Sequence, residues 1–86
     1  MPYFVAITPA AGRDLKKLTQ PIRERILLAL AELKIEPRPH GAIKLTRSID
    51  TYRIRVGDYR VLYEIHDDRL LVLVLHAGHR RDVYRK

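Results

Sequence analysis

The 86-residue chain contains no cysteine and no tryptophan, one methionine, one phenylalanine and four glycines. Without cysteine, a disulfide framework and any thiolate metal site are excluded. No apolar stretch approaches the ~20 residues of a membrane span. Residues 1–9 lack a basic segment followed by an apolar run, so no secretory signal is expected. A soluble, cytoplasmic protein with no membrane partner is the expectation. Acids are scarce as well: ten Asp and Glu stand against seventeen Lys and Arg, giving a net charge of +7 and a pI near 10.1. Such an excess suits an acidic partner, either nucleic acid or an acidic protein segment. It is spread along the chain, seven cations against four acids in residues 1–43 and ten against six in residues 44–86, so charge alone does not locate a site. With this length and a hydrophobic fraction of 47%, the chain reads as one small domain spanning residues 1–86.

What is present is a strong pattern at residues 52–63, YRIRVGDYRVLY, where apolar or aromatic residues alternate with arginines on both sides of Gly57-Asp58. Period-two alternation about a tight-turn pair predicts a β-hairpin. A two-residue loop sets Val56 opposite Tyr59, Arg55 opposite Arg60 and Ile54 opposite Val61. Tyr52, Ile54, Val56, Tyr59, Val61 and Tyr63 then share one face, and Arg53, Arg55 and Arg60 the other. Like charges directly opposite on a sheet cost up to about 1 kcal/mol. Converging guanidiniums suit a polyanion, because each presents a planar fork matched to phosphate oxygens. The competing reading is an ordinary charged solvent face that protects a strand edge.

Residues 3–7 read as a first strand. Thr8-Pro9 opens a helix over about 9–18, with Thr as N-cap and Pro at the first helical position. Thr19-Gln20-Pro21 repeats that grammar and opens a second helix over about 21–35, with Ile22, Ile26, Ala29, Leu30 and Leu33 on one face and Leu27 and Leu28 widening it. The short connection implies an antiparallel helix pair. Residues 36–41, EPRPHG, form a stiff loop. Residues 42–46 are a short extended piece leading towards the hairpin. The second hairpin strand continues to His66, Asp67-Asp68 turns the chain, and residues 70–77, LLVLVLHA, form a central strand. The expected fold is α+β: two antiparallel helices in the N-terminal half on one face of a small, mainly antiparallel twisted sheet of about four strands. The chain order is β-α-α-β-β-β, followed by a short C-terminal tail or helix.

A two-residue turn at Asp67-Asp68 places Leu70, Val72, Val74 and His76 on the helix-covered face. Leu71, Leu73 and Leu75 then join Leu62 on the arginine face as an apolar strip. Contiguous exposed apolar surface marks a partner site; the alternatives are a C-terminal segment folded over it, or a register shifted by one. After the last strand, Arg80 can reach the surface of Arg53, Arg55 and Arg60. Tyr84 either stacks on a base, contacts a phosphate, or anchors the chain end.

The order of elements, YRIRVGDYRVLYEI and the closing GHRRDVY together resemble the RelE/ParE superfamily of toxin–antitoxin toxins, on the mRNA interferase side. The resemblance covers essentially the whole chain. It implies a ribosome-dependent endoribonuclease that cuts messenger RNA in the A site and is neutralised by a cognate antitoxin whose C-terminal segment wraps the toxin. Operator DNA would be met only through the antitoxin complex. By motif position, Arg53 and Arg55 are implied to lie beside the scissile phosphate, Arg60 to bind it, Arg80 to sit at the leaving 5′ oxygen and Tyr84 to orient the nucleotide. Leu62, Leu71, Leu73 and Leu75 are the candidate antitoxin surface.

The implied reaction is attack of a ribose 2′-oxygen on the adjacent phosphorus, with no metal and no cofactor, and no Asp/Glu cluster on the arginine face resembles a metal site. The two strand positions that are lysine in well-studied members are both arginine here. Arginine is a very poor general base. His79 is the neighbouring group that titrates near neutrality and is the candidate for proton transfer, against its reading as a surface histidine. Two alternatives belong to other classes: a ParE-like inhibitor of DNA gyrase, and an inactive toxin-like module that binds antitoxin and operator DNA.

Overall fold

The computed structural model describes residues 2–45 and 50–79. Strand β1 (Phe4–Ile7) runs into helices α1 (Pro9–Lys16) and α2 (Gln20–Leu33), followed by β2 (Ile43–Lys44), β3 (Thr51–Val56), β4 (Tyr59–His66) and β5 (Leu71–His79). All five strands belong to one sheet in the order β1-β5-β4-β3-β2, with β1 parallel to β5 and the other neighbours antiparallel. The expected α+β architecture is observed, with five strands rather than four. The additional one is the two-residue β2, which pairs Ile43 with Arg53 and Lys44 with Tyr52.

Both helices start at the Thr and Pro positions expected, but only Thr8 makes a side-chain capping bond. Thr8 is the N-cap of α1, its Oγ1 accepting the Ala11 N–H at 3.2 Å, and Pro9 occupies the first turn, where no N–H is needed. Thr19 precedes α2, again with Pro in the first turn. One face of α2 is buried through Ile26, Leu30 and Leu33, and these pack with Ala11 and Leu15 of α1 against Ile54, Val56, Val61, Tyr63, Ile65, Val72 and Val74. The core therefore lies on one side of the sheet. Leu27 and Leu28, expected to widen the buried stripe, are 43% and 66% exposed. They sit about 100° and 200° beyond Ile26 around the helix: Leu27 lies at the margin of the core, lining a cavity with Val5 and Ile7 of β1, and Leu28 is turned further out.

Two features of β5 differ from expectation. The connection after His66 is a 3₁₀ turn, Asp67–Arg69, closed by Leu70 in the left-handed region at φ 50°, so Leu70 leaves the strand. His66 pairs with Leu71, a loop two residues longer than a two-residue turn, and an even difference leaves the faces of Leu71 through Val74 as expected. Beyond Val74 a β-bulge omits Leu75 from the pairing, and the register resumes as Leu62 opposite His76, Val61 opposite Ala77, Arg60 opposite Gly78 and Tyr59 opposite His79. Ala77, not His76, is consequently the buried residue.

The loop after α2 is pinned by a polar clamp. Arg38 donates from Nη2 to Asp67 Oδ2 at 2.8 Å, from Nη1 to Asp67 Oδ1 at 3.2 Å and from Nε to Tyr52 Oη at 3.0 Å, while Tyr3 donates to the same carboxylate. The buried Tyr63 donates to the Pro37 carbonyl at 2.8 Å. Hydrogen bonds from Arg38 and then Tyr3 hold the Asp67 carboxyl down at about 2. A depressed folded pKa contributes stability that is present above the unfolded value of about 4 and lost as pH falls through the folded one. Thermal melts should therefore show Tm falling between pH 4 and 2 more steeply in the wild type than in Asp67→Asn; equal slopes would assign the acid loss to other groups.

Candidate functional site

The β3–β4 hairpin turns at Gly57-Asp58 with Gly57 at φ 61°, the positive value that the first central position of a tight hairpin turn favours and glycine supplies without strain. Its register sets Arg55 opposite Arg60, Ile54 opposite Val61 and Arg53 opposite Leu62, as the sequence predicts. Ile54, Val56, Val61 and Tyr63 point into the core. Alternation then sends Arg53, Arg55 and Arg60 to the other face, away from the helices. Arg55 is exposed, whereas Arg53 and Arg60 are half-buried with Nε shielded from solvent, so their aliphatic stems lie along the sheet. Gly78 lies opposite Arg60, and no atom of the described residues comes within 4 Å of where a Gly78 Cβ would be.

The same face has an apolar half. Phe4 pairs with Leu71 and Ala6 with Leu73, so these residues continue the face across β1 and β5 towards Leu62. Phe4 is 70% exposed, Leu71 and Leu73 are half-buried, and Leu62 is buried. Glu64 and His66, whose Oε1 and Nε2 lie 2.8 Å apart, are on this face too. The leucine strip is thus present at Leu62, Leu71 and Leu73, narrowed by the burial of Leu62 and extended by Phe4, which sequence reasoning missed. The bulge removes Leu75 from the regular ladder.

His79 falls elsewhere. It pairs with Tyr59, whose ring it meets edge-on at 5.6 Å, and Tyr59 belongs to the core side of the hairpin. The structure therefore places His79 on the face opposite the arginines rather than among them. Arg80 and Tyr84 lie outside the described residues. Among the described residues no three His, Asp or Glu side chains converge in a way that would hold a metal ion, and no helix is long and apolar enough to cross a membrane.

Two neighbours of the arginines are not evident from sequence. The guanidinium of Arg25 from α2 lies over the hairpin turn, within 3.4 Å of where a Gly57 Cβ would be. At the edge of β3, where β2 pairs no further than Arg53, a cavity of about 300 Å3 is lined by Arg55, Ile54, Glu32, His40 and Gly41.

A sheet face that neither described helix covers, carrying cross-strand arginines beside an apolar strip and backed by a helix pair, defines the class. The family model described as ParE toxin of type II toxin–antitoxin system, parDE, matches residues 5–84, and the chain belongs to the RelE/ParE superfamily of type II toxins. Within it, the chain is similar to Toxin RelG of Mycobacterium tuberculosis, with 38% identity over 87 residues and full coverage of both chains. It is also similar to the mRNA interferase toxin RelE of Escherichia coli, 32% identical over 82 residues, covering 93% of this chain and 85% of the relative. Among solved structures, the toxin–antitoxin complex RelBE2 from Mycobacterium tuberculosis matches with a TM-score of 0.81 at 36% identity, covering 93% of this chain and all of the other. The intact Escherichia coli RelBE complex matches at 0.80 and 29% identity, covering 90% and 95%.

Proposed function

We propose that the protein is a ribosome-dependent endoribonuclease that cleaves messenger RNA and is neutralised by a cognate antitoxin. The observation that carries the reading is Arg55 directly across the hairpin from Arg60 on the face that neither described helix covers, an arrangement that costs folding energy and suits a phosphate. The relatives named mRNA interferase support the same reaction class.

In this reading the 2′-oxygen attacks the adjacent phosphorus, a P–O bond to the 5′ oxygen breaks, and a 2′,3′-cyclic phosphate forms. Negative charge gathers on the equatorial oxygens, where Arg60 with Arg55 or Arg53 stabilises it. Fixed charges aimed at developing charge are usually the largest catalytic contribution. Arg80 and Tyr84 keep the roles that the resemblance gives them at the leaving oxygen and the nucleotide. Arginine does not take the 2′ proton, and His79 lies across the sheet, so the 2′ proton passes to solvent water, water protonates the departing 5′ oxygen, and catalysis rests on charge stabilisation and on alignment of the message by the ribosome. The antitoxin is an acidic, amphipathic segment whose apolar residues cover Leu62, Leu71 and Leu73 while its carboxylates meet the arginines.

Primer extension on a message in a translation extract tests the reading. Purified protein is expected to produce cuts in register with A-site codons, and omission of ribosomes is expected to remove them. Intact message together with inhibition of purified gyrase would replace this reading with a gyrase-directed one.

A further inference from the structure

Asp14 is a buried carboxylate, 5% exposed, that the reaction above does not use. Burying a carboxylate is costly unless its oxygens are engaged. Two of its contacts are to residues of one strand end, His76 and Ala77. β1 stops at Ile7, opposite Val74, and past that point no described strand lies beside the outer edge of β5. Helix α1 takes over. The Thr8 N–H and Oγ1–H both donate to the Val74 carbonyl, at 3.1 and 2.8 Å, and Asp14 Oδ2 accepts the Ala77 N–H at 3.0 Å with His76 Nδ1 at 3.3 Å. Thr8 Oγ1 also reaches the carbonyl of the bulge residue Leu75, at 3.2 Å, so Thr8 holds the near side of the bulge and Asp14 the far side.

We propose that Asp14 is a positioning residue for the arginine site, selecting the bulged register of β5. Continuing the ladder from Tyr63 opposite Val74 without a bulge would set His76 opposite Val61 in the core and Ala77 opposite Arg60. A one-residue slip exchanges faces, and a strand of uniformly apolar residues specifies its own register weakly. The Asp14 carboxylate favours the alternative by capturing the Ala77 amide from the open edge. Gly78 then lies opposite Arg60 and His79 opposite Tyr59. The signal for the last strand thus comes from a residue 63 positions earlier. The inference rests on the ribonuclease reading, because its consequence is read as catalysis.

The test compares Asp14→Ala, Asp14→Asn and Asp14→Glu with Leu15→Ala, a core truncation on the same helix. Message cleavage on ribosomes, thermal stability and hydrogen exchange of the Ala77 amide are measured for each. Misplacement by about 1 Å can cost 10²-fold in rate. Asp14→Ala is expected to lower kcat on the order of 10–100-fold, with KM held, and to lose protection at Ala77. Asp14→Asn keeps an acceptor oxygen in place and retains both; Asp14→Glu, which keeps the charge but displaces it by one methylene, stays folded and loses rate. Leu15→Ala loses stability without the kcat effect. Loss of activity in proportion to Tm across all four variants would reduce Asp14 to a structural residue and overturn the proposal, as would full activity in Asp14→Ala. An inert wild type would instead overturn the ribonuclease reading, and this inference with it.

Discussion

Arg60→Ala is expected to lower cleavage of ribosome-bound message on the order of 10²–10³-fold, the loss typical of removing one fixed group that stabilises transition-state charge. The fold should be kept. Arg60 is half-buried and faces Arg55 directly, so truncation removes a like-charge pair as well as a side chain, and relief of up to about 1 kcal/mol offsets part of the lost packing. Activity falling while Tm holds or rises is the signature of a group retained for chemistry. Arg60→Lys separates charge from shape: a point charge keeps part of the rate, and only the bidentate fork restores it fully. Single-turnover cleavage and a thermal melt on the same preparations decide the matter. An Arg60→Ala protein that still cleaves at the wild-type rate would remove Arg60 from the site.

Tyr63→Ala should be the most damaging single change to stability, by about 3–5 kcal/mol. The ring is fully buried at the centre of β4, stacked on Tyr52 at 6.1 Å, and its hydroxyl donates to the Pro37 carbonyl. Burial drives its ionisation up to about 12. Tyr63→Phe keeps the ring and orphans the carbonyl, for about 1–3 kcal/mol. A domain of this size has only a modest margin, so the alanine variant is expected to be unfolded alone. Co-expression with the antitoxin should recover it, because a partner that binds only the folded form stabilises it by mass action. Denaturant titration of the free variants and of the complexes measures both effects, and a free Tyr63→Ala protein as stable as wild type would refute the assignment.

What the sequence reveals and conceals follows from range. The hairpin register was legible because Gly57-Asp58 and the alternation around it are neighbours in the chain. The caps at Thr8 and Thr19 were legible for the same reason. The bulge was not: LLVLVLHA is apolar throughout and carries no local mark at Leu75, and the group that engages the strand beyond it is Asp14. The clamp of Arg38, Asp67 and Tyr3 joins three distant stretches and leaves only isolated polar residues in the sequence. Leu27 and Leu28 misled because hydrophobicity alone does not say which side of a helix the sheet will occupy. The arginine face was legible as a surface, whereas the side on which His79 falls depended on the bulge.

The place of β5 in the sheet has a consequence for biogenesis. Strand β5 is synthesised after the other four described strands, yet it lies between β1 and β4. β1, made first, has no partner until β5 appears, and a two-stranded hairpin such as β3–β4 is marginal alone in water. Pairings of such long sequence separation form late. The hairpin that carries Arg53, Arg55 and Arg60 therefore waits for the strand made last before it is locked between its neighbours, so the arginine surface becomes rigid only in the final step of assembly.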